Sequence, residues 1–218
     1  MSNNTRVGER RHTPLPEDPK RVTRRRMRAP ERRDQLMDVA RRMFGNQGFH
    51  AVSMDSVAKE AGVTKPILYD HFPSKRDLYL ALLDATLVVL KEKVRAALDL
   101  STGNRERIRA SFQAYFDFVE DQTEGFRLLM QENVGDEDDF REKVEEVRAE
   151  ILSDVADLIA RESKGTLDRE HAETVALALI GMVENVAQRA PDAGTGERKA
   201  ALDTLVQLAW RGITGLAP

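Results

Sequence analysis

The residues whose types and spacing could do chemistry gather between Ser53 and Lys75. The chemistry they suit is non-covalent recognition of a nucleic acid. Two short helical stretches joined by Gly62-Val63-Thr64 have the length and turn chemistry of a helix-turn-helix. In that motif the second helix projects its N-terminal residues into the major groove, and the helix before it rests on the backbone. Apolar Val57, Ala61, Val63, Leu68 and Phe72 would lock the crossing angle, leaving Thr64, Lys65, Pro66, Ile67, Tyr69 and His71 to face outward. Ile67 also fits a core period, so an inward reading of it stays open. Upstream, Lys20-Arg21, Arg24-Arg25-Arg26 and Arg28 fit a cationic arm along phosphates or in a minor groove. The bland alternative for that arm is a solubilising tail.

Material for bond-breaking chemistry is scarce. With no cysteine, disulfides, thiolate metal sites and thiol nucleophiles are excluded. The four histidines are scattered, so no metal site and no cofactor is expected beyond a small-molecule effector. There is no His-x-x-x-His, no pair of Glu-x-x-His motifs and no Gly-x-Ser-x-Gly, so an enzyme is not expected. The acidic run Gly135 to Asp139 lacks the alternating ligands of a calcium loop and reads as solvated charge and helix capping.

The elements that must position these residues are helical. Leu36, Val39, Ala40, Met43 and Phe44 recur at helical spacing, and Gly45 to Gly48 ends that stretch. Ser53 is placed as an N-cap of the next helix and is also expected among the DNA contacts, and Thr64 is placed as the cap of the third, with Pro66 in its first turn. Ser74 caps a long helix carrying Leu78, Leu82, Leu83, Leu87, Leu90, Val94 and Leu98. No proline occurs from Ser74 to Ala190, and amphipathic segments follow at Ile108–Glu120, Phe126–Gln131, Phe140–Ile159, Ala172–Gln188 and Ala200–Ile213. No period-2 run is bounded by turns. The expected fold is all-α, with a disordered basic arm over 1–28, a three-helix DNA-binding head over 29–76 and a helical body over 77–218.

Charge follows the same division. Residues 1–77 hold 17 basic and 10 acidic residues, whereas residues 78–218 hold 17 basic and 27 acidic. A basic end on an acidic body suggests that only the first part meets a polyanion. The apolar runs are far too short to span a bilayer, and the arginine-rich start has no apolar stretch after it, so a cytoplasmic protein with no membrane partner is expected.

Residues 31–83 resemble the DNA-binding domain of the tetracycline-repressor (TetR) family. The resemblance rests on Ala40-Arg41-Arg42-Met43-Phe44 with Gly48-Phe49, on Ser56 to Val63, and above all on Thr64-Lys65-Pro66-Ile67-Leu68-Tyr69-Asp70-His71-Phe72 followed by Ser74-Lys75. It implies a homodimeric regulator, usually a repressor, on a two-fold operator in double-stranded DNA. Thr64 resembles the cap that meets a phosphate, and Tyr69 the tyrosine that bonds one. His71 would touch phosphate or a base edge, and Lys75 resembles the lysine that clamps the backbone, with a packing role for Tyr69 and mere solvent exposure of His71 as the alternatives. Lys65, Pro66 and Ile67 would meet bases. Ile67, where the family often has a small or hydroxyl residue, points to apolar readout.

The family uses its body for dimerisation and ligand sensing. The last two helices resemble its dimer interface, which would take Leu179, Val183 and Val186 against Leu202, Val206 and Ala209, with Gly181 permitting a tight crossing. An internal core is the alternative. Phe112 and Phe116, with Phe126 and Met130, are the expected lining of an apolar effector pocket, against core packing as the alternative. Glu184, Asn185 and Gln188 are expected on a solvated flank, with a polar end to the pocket as the alternative. The stretches Phe112 to Glu120, Gly125 to Leu129 and Gln207 to Gly212 further resemble the fatty-acid-synthesis regulators of this family (the FasR type), which implies a long-chain acyl-CoA as effector and admits activation of lipid-synthesis genes. A helical protein-interaction module is the remaining alternative. Ligand binding would move the long fourth helix and so the spacing of the two heads, about 34–36 Å or a multiple.

Overall fold

The computed structural model describes residues 28–100, 103–131, 138–189 and 194–214. The arm with Arg24, Arg25 and Arg26 lies outside them, as do Gly135 to Glu137 of the acidic run.

Among the described residues there are nine helices and no strand. Helix α1 (Ala29–Gln47) starts with Pro30 in its first turn, and the Glu31 carboxylate accepts the Arg28 backbone N–H at 3.0 Å. Helix α2 (Met54–Glu60) is capped by the Ser53 hydroxyl, which accepts the Ser56 N–H at 3.1 Å. Gly62 makes the turn with φ +65°, a conformation that costs a glycine little. Helix α3 (Lys65–His71) follows, and α4 (Lys75–Leu98) begins where Ser74 accepts the Asp77 N–H at 3.0 Å.

The body adds α5 (Asn104–Asp121), α6 (Thr123–Leu129), α7 (Asp138–Glu162), α8 (Arg169–Ala187) and α9 (Thr195–Thr214). Helix α4 packs on both α5 and α7, α7 packs on α8, and α9 packs on α5 and α8.

Two apolar cores hold the chain. The first joins Leu36, Ala40 and Phe44 of α1 to Val57, Leu68, Phe72 and the start of α4. Truncating a fully buried leucine such as Leu36 or Leu68 to alanine would cost about 2–5 kcal/mol. This core does not stop at residue 76. It runs through Leu78, Tyr79, Leu82 and Leu83 and takes in Leu128 and Phe140, so the head is built partly from α4, α6 and α7. One longer helix and two of seven residues bury too little apolar surface by themselves, and neighbouring helices complete the core. Docking is closest where Gly45 meets α6. A Cβ at Gly45 would lie 2.8 Å from the Glu124 carbonyl oxygen.

The second core belongs to the body. Leu179, Val183, Leu202, Val206 and Ala209 are buried in it within one subunit, and Val186 is partly buried against it. The five buried residues therefore fill the subunit interior rather than an interface, while Val186 keeps part of its side chain exposed. The helical period locates an apolar face but does not say what covers it.

Candidate nucleic-acid interface and effector cavity

Helix α3 presents the expected face. Leu68 and Phe72 are buried, and Arg33 places its guanidinium 4.5 Å from the Phe72 ring centroid. Thr64, Lys65 and Pro66 are exposed, and so are Ile67 at 38% and Tyr69 at 45%. The core reading of Ile67 is thereby excluded, and His71 is partly exposed. Thr64 occupies the N-cap position without a side-chain cap bond. The Lys65 ammonium rests on the Asp55 carboxylate of α2 at 2.5 Å. Ser53 is exposed, but its hydroxyl is engaged in capping α2.

Lys75 is placed differently from its expected role. Its ammonium donates to the carbonyls of Phe49 at 2.9 Å and Val52 at 3.0 Å, and lies 4.3 Å from the Phe49 ring centroid. It ties the loop between α1 and α2 to the start of α4. Two carbonyls and an aromatic face suit a partly buried ammonium, and they turn it inward. The positive charge of the head is also unevenly held. Residues 28–77 carry nine basic against seven acidic residues, so most of the excess falls on the arm.

The body holds an open-sided cavity of about 360 Å³, at the small end of ligand pockets. Its wall is mainly apolar, from Leu87, Leu90 and Val94 of α4, Phe112 of α5 and Ile151 and Val155 of α7. Ser111 is among the lining residues, and its hydroxyl is buried with no hydrogen-bond partner among the described residues. Of the four expected lining residues, Phe112 alone reaches this space. Met130 lines a second cavity of about 340 Å³, bounded also by Tyr79, Gln131 and Phe140. Phe116 and Phe126 line neither and are core residues, with Phe126 packed edge-on to Phe118. The lining supplied by α7 was missed. It reads in the sequence as one more amphipathic face, with nothing to separate a wall from a core.

Glu184 also moves from flank to cavity. Its side chain is 14% exposed, it lines both cavities, and it is ion-paired with Arg148 across α7 and α8. Burial, together with the Glu184 carboxylate and against the opposing Arg148 cation, pushes the neighbouring Tyr115 phenol well above the usual tyrosine range, so it stays protonated.

A helix-turn-helix head with an exposed second helix, set on a helical body with an apolar cavity, is the architecture of a DNA-binding regulator. Residues 36–82 match the family described as bacterial regulatory proteins, tetR family, and residues 104–212 match the tetracyclin repressor-like C-terminal domain. The chain is 35% identical over 208 residues to the HTH-type transcriptional activator FasR of Mycolicibacterium smegmatis, covering 95% of this chain and 89% of that one. A TetR-like transcriptional regulator from Rhodococcus sp. RHA1 superposes with a TM-score of 0.71 at 28% identity, over 87% of this chain and all of that one. AibR, solved in complex with isovaleryl coenzyme A and operator DNA, shares the fold with a TM-score of 0.66 at 19% identity, over 82% of this chain and 97% of that one. This chain belongs to the TetR family of bacterial transcriptional regulators. No helix among the described residues is long and apolar enough to cross a membrane.

Proposed function

We propose that this regulator acts in the cytoplasm as a homodimer on a two-fold site in double-stranded DNA, and that an acyl-CoA in the body cavity controls it. The apolar cavity beside α4 is the observation that carries the effector reading, because α4 also supplies residues to the core of the head. Similarity to FasR over nearly the whole chain supports an acyl-CoA ligand, and the fold shared with a CoA-bound neighbour is compatible with it.

Thr64 and Tyr69 would hold phosphates, Lys65, Pro66 and Ile67 would meet base edges, and His71 would reach either. The arm, with Arg24, Arg25 and Arg26, would add phosphate or minor-groove contacts. The dimer face would use the exposed Leu177 of α8 and Leu208 of α9. The protein would work by binding alone, without catalysis or a resident cofactor.

The test is a gel shift with fragmented genomic DNA at low ionic strength, with and without acyl-CoAs, followed by sequencing of the retained fragments. A defined set of promoters is expected, with affinity altered by acyl-CoA. Absence of any preferred fragment overturns the DNA reading. Indifference to every acyl-CoA overturns the effector reading. The Mycolicibacterium relative is named an activator, which favours activation as the second reading of the regulatory sign. A reporter behind a retained promoter separates it from repression.

A further inference from the structure

The two cavities of the body are neighbours. The wall between them is shared by Leu87 and Leu90 of α4, Tyr115 of α5, Arg148 of α7 and Glu184 of α8. The five come from four different helices, and the only charges among them are the paired Arg148 and Glu184. The rest of the second cavity is lined by Tyr79, Gln131 and Phe140 among others, with Arg141, Glu145 and Gln188 as its further polar groups. Tyr79 and Phe140 belong to the core of the head.

We propose that the Arg148–Glu184 ion pair is a partition that sets the length of acyl chain the body accepts. The inference rests on the acyl-CoA reading above and deepens it. A chain entering the first cavity gains affinity for every methylene it removes from water, up to roughly fourfold each. At the partition the gain stops, because a hydrocarbon against an ion pair strips water from charges and gives nothing in return. To pass, the chain must displace Arg148, which is half exposed and already pairs with Glu145 at 3.3 Å, so that solvent and a second carboxylate still hold it when it leaves Glu184. Glu184 has no such exit. It is mostly buried and sits against a protonated phenol, so losing Arg148 leaves its carboxylate uncompensated. Chains that end before the pair leave it closed. Longer chains open it and press on Tyr79 and Gln131, which hold the head.

The experiment measures displacement of a bound environment-sensitive apolar dye by saturated acyl-CoAs graded from octanoyl to stearoyl. Wild type is compared with the double variant Arg148→Met with Glu184→Leu, which replaces both charges with apolar groups of similar size. The expected result is a wild-type affinity that rises with length and then flattens, and a double variant in which the rise continues. The longest chain gains at least tenfold in the variant, while octanoyl-CoA changes less than threefold. Glu184→Gln keeps the shape of the side chain and removes its charge, and it serves if the double variant melts early. It is expected to shrink the long-chain penalty in the same direction. An Arg95→Ala variant, which removes an ion pair of α4 with α7 at Asp154, is expected to leave the length profile of wild type unchanged. Profiles that stay parallel across all lengths in wild type and both partition variants overturn the partition alone. No displacement by any acyl-CoA, in wild type and variants alike, overturns the effector reading and the partition with it.

Discussion

The side-chain amide of Gln131 donates to the carbonyl of Phe44 at 2.8 Å, across 87 positions of sequence. The same side chain accepts the Phe49 N–H at 3.2 Å and faces the Tyr79 hydroxyl at 3.5 Å. One glutamine just past the end of α6 thus gives the Phe44 carbonyl, which already accepts the Gly48 N–H at 2.9 Å, a second donor at the C-terminal end of α1, and lines the second cavity as well. Together with the Gly45 approach to Glu124 and the Arg127–Asn46 bond at 2.9 Å, it makes α6 the seat on which the head rests.

Gln131→Ala is therefore expected to separate two properties. Loss of these half-buried bonds lowers stability by about 1–3 kcal/mol, which a thermal melt reads. Effector binding is expected to stay within a few-fold of wild type, while the response of DNA affinity to effector falls. If the full response survives with the melt lowered, Gln131 is a structural tie and the signal runs elsewhere.

Lys75 gives a contest between two roles with different readouts. As the tie seen here, its replacement by methionine removes two hydrogen bonds and a cation–π contact, lowers stability by about 1–3 kcal/mol and leaves the salt dependence of DNA binding unchanged. As a phosphate clamp, its loss would reduce the logarithmic salt slope by about 1. Anisotropy titrations over a range of salt concentrations, with a melting curve alongside, separate the roles, and the structural outcome is expected.

How much of this was legible in the sequence follows from what periodicity encodes. The head was readable because caps, a glycine turn and paired apolar positions each fix a local choice: Ser53, Thr64, Gly62 and Ser74 all sit where their types predict. Residue Ile67 was ambiguous by period and was settled only by exposure. In the body the apolar faces were found, but their partners were not. Leu179 and Val206 have the same pattern whether they meet their own subunit or another. Lys75 looked like any helix-start lysine, since the carbonyls that hold it come from more than 20 residues away. Glu184 looked solvated because its partner Arg148 lies 36 positions earlier. Long-range pairings of this kind leave no local trace.

The Lys65–Asp55 pair sets a prediction on specificity. Both side chains are well exposed, so the pair itself is worth about 0–1 kcal/mol. Asp55→Asn removes an anion close to where phosphates would approach and frees the ammonium. Affinity for random DNA is expected to rise several-fold, with less discrimination of the operator. Lys65→Ala is expected to weaken operator binding by about 1–3 kcal/mol, mainly at the base pair it meets. Competition titrations of operator against random duplex read both. Equal loss on every sequence would make Lys65 a phosphate contact.

The dimer prediction turns on what is left uncovered. Leu177 is 62% exposed and Leu208 59%, on two helices that pack against each other. One turn beyond each lies a glycine, Gly181 and Gly212, with open space where a Cβ would stand. Residues four apart share a helix face, so each helix offers a large apolar knob beside a hollow. A two-fold axis would bring knob to hollow, since an isologous interface must be complementary to itself. Leu177→Glu with Leu208→Glu places charges on that face and touches nothing in the subunit core. The variant is expected to keep its helical circular dichroism and melt close to the unfolding temperature of the isolated subunit. It is expected to sediment as a monomer and to bind a single half-site far more weakly than wild type binds the full operator. A variant that still sediments as a dimer would move the interface to another face.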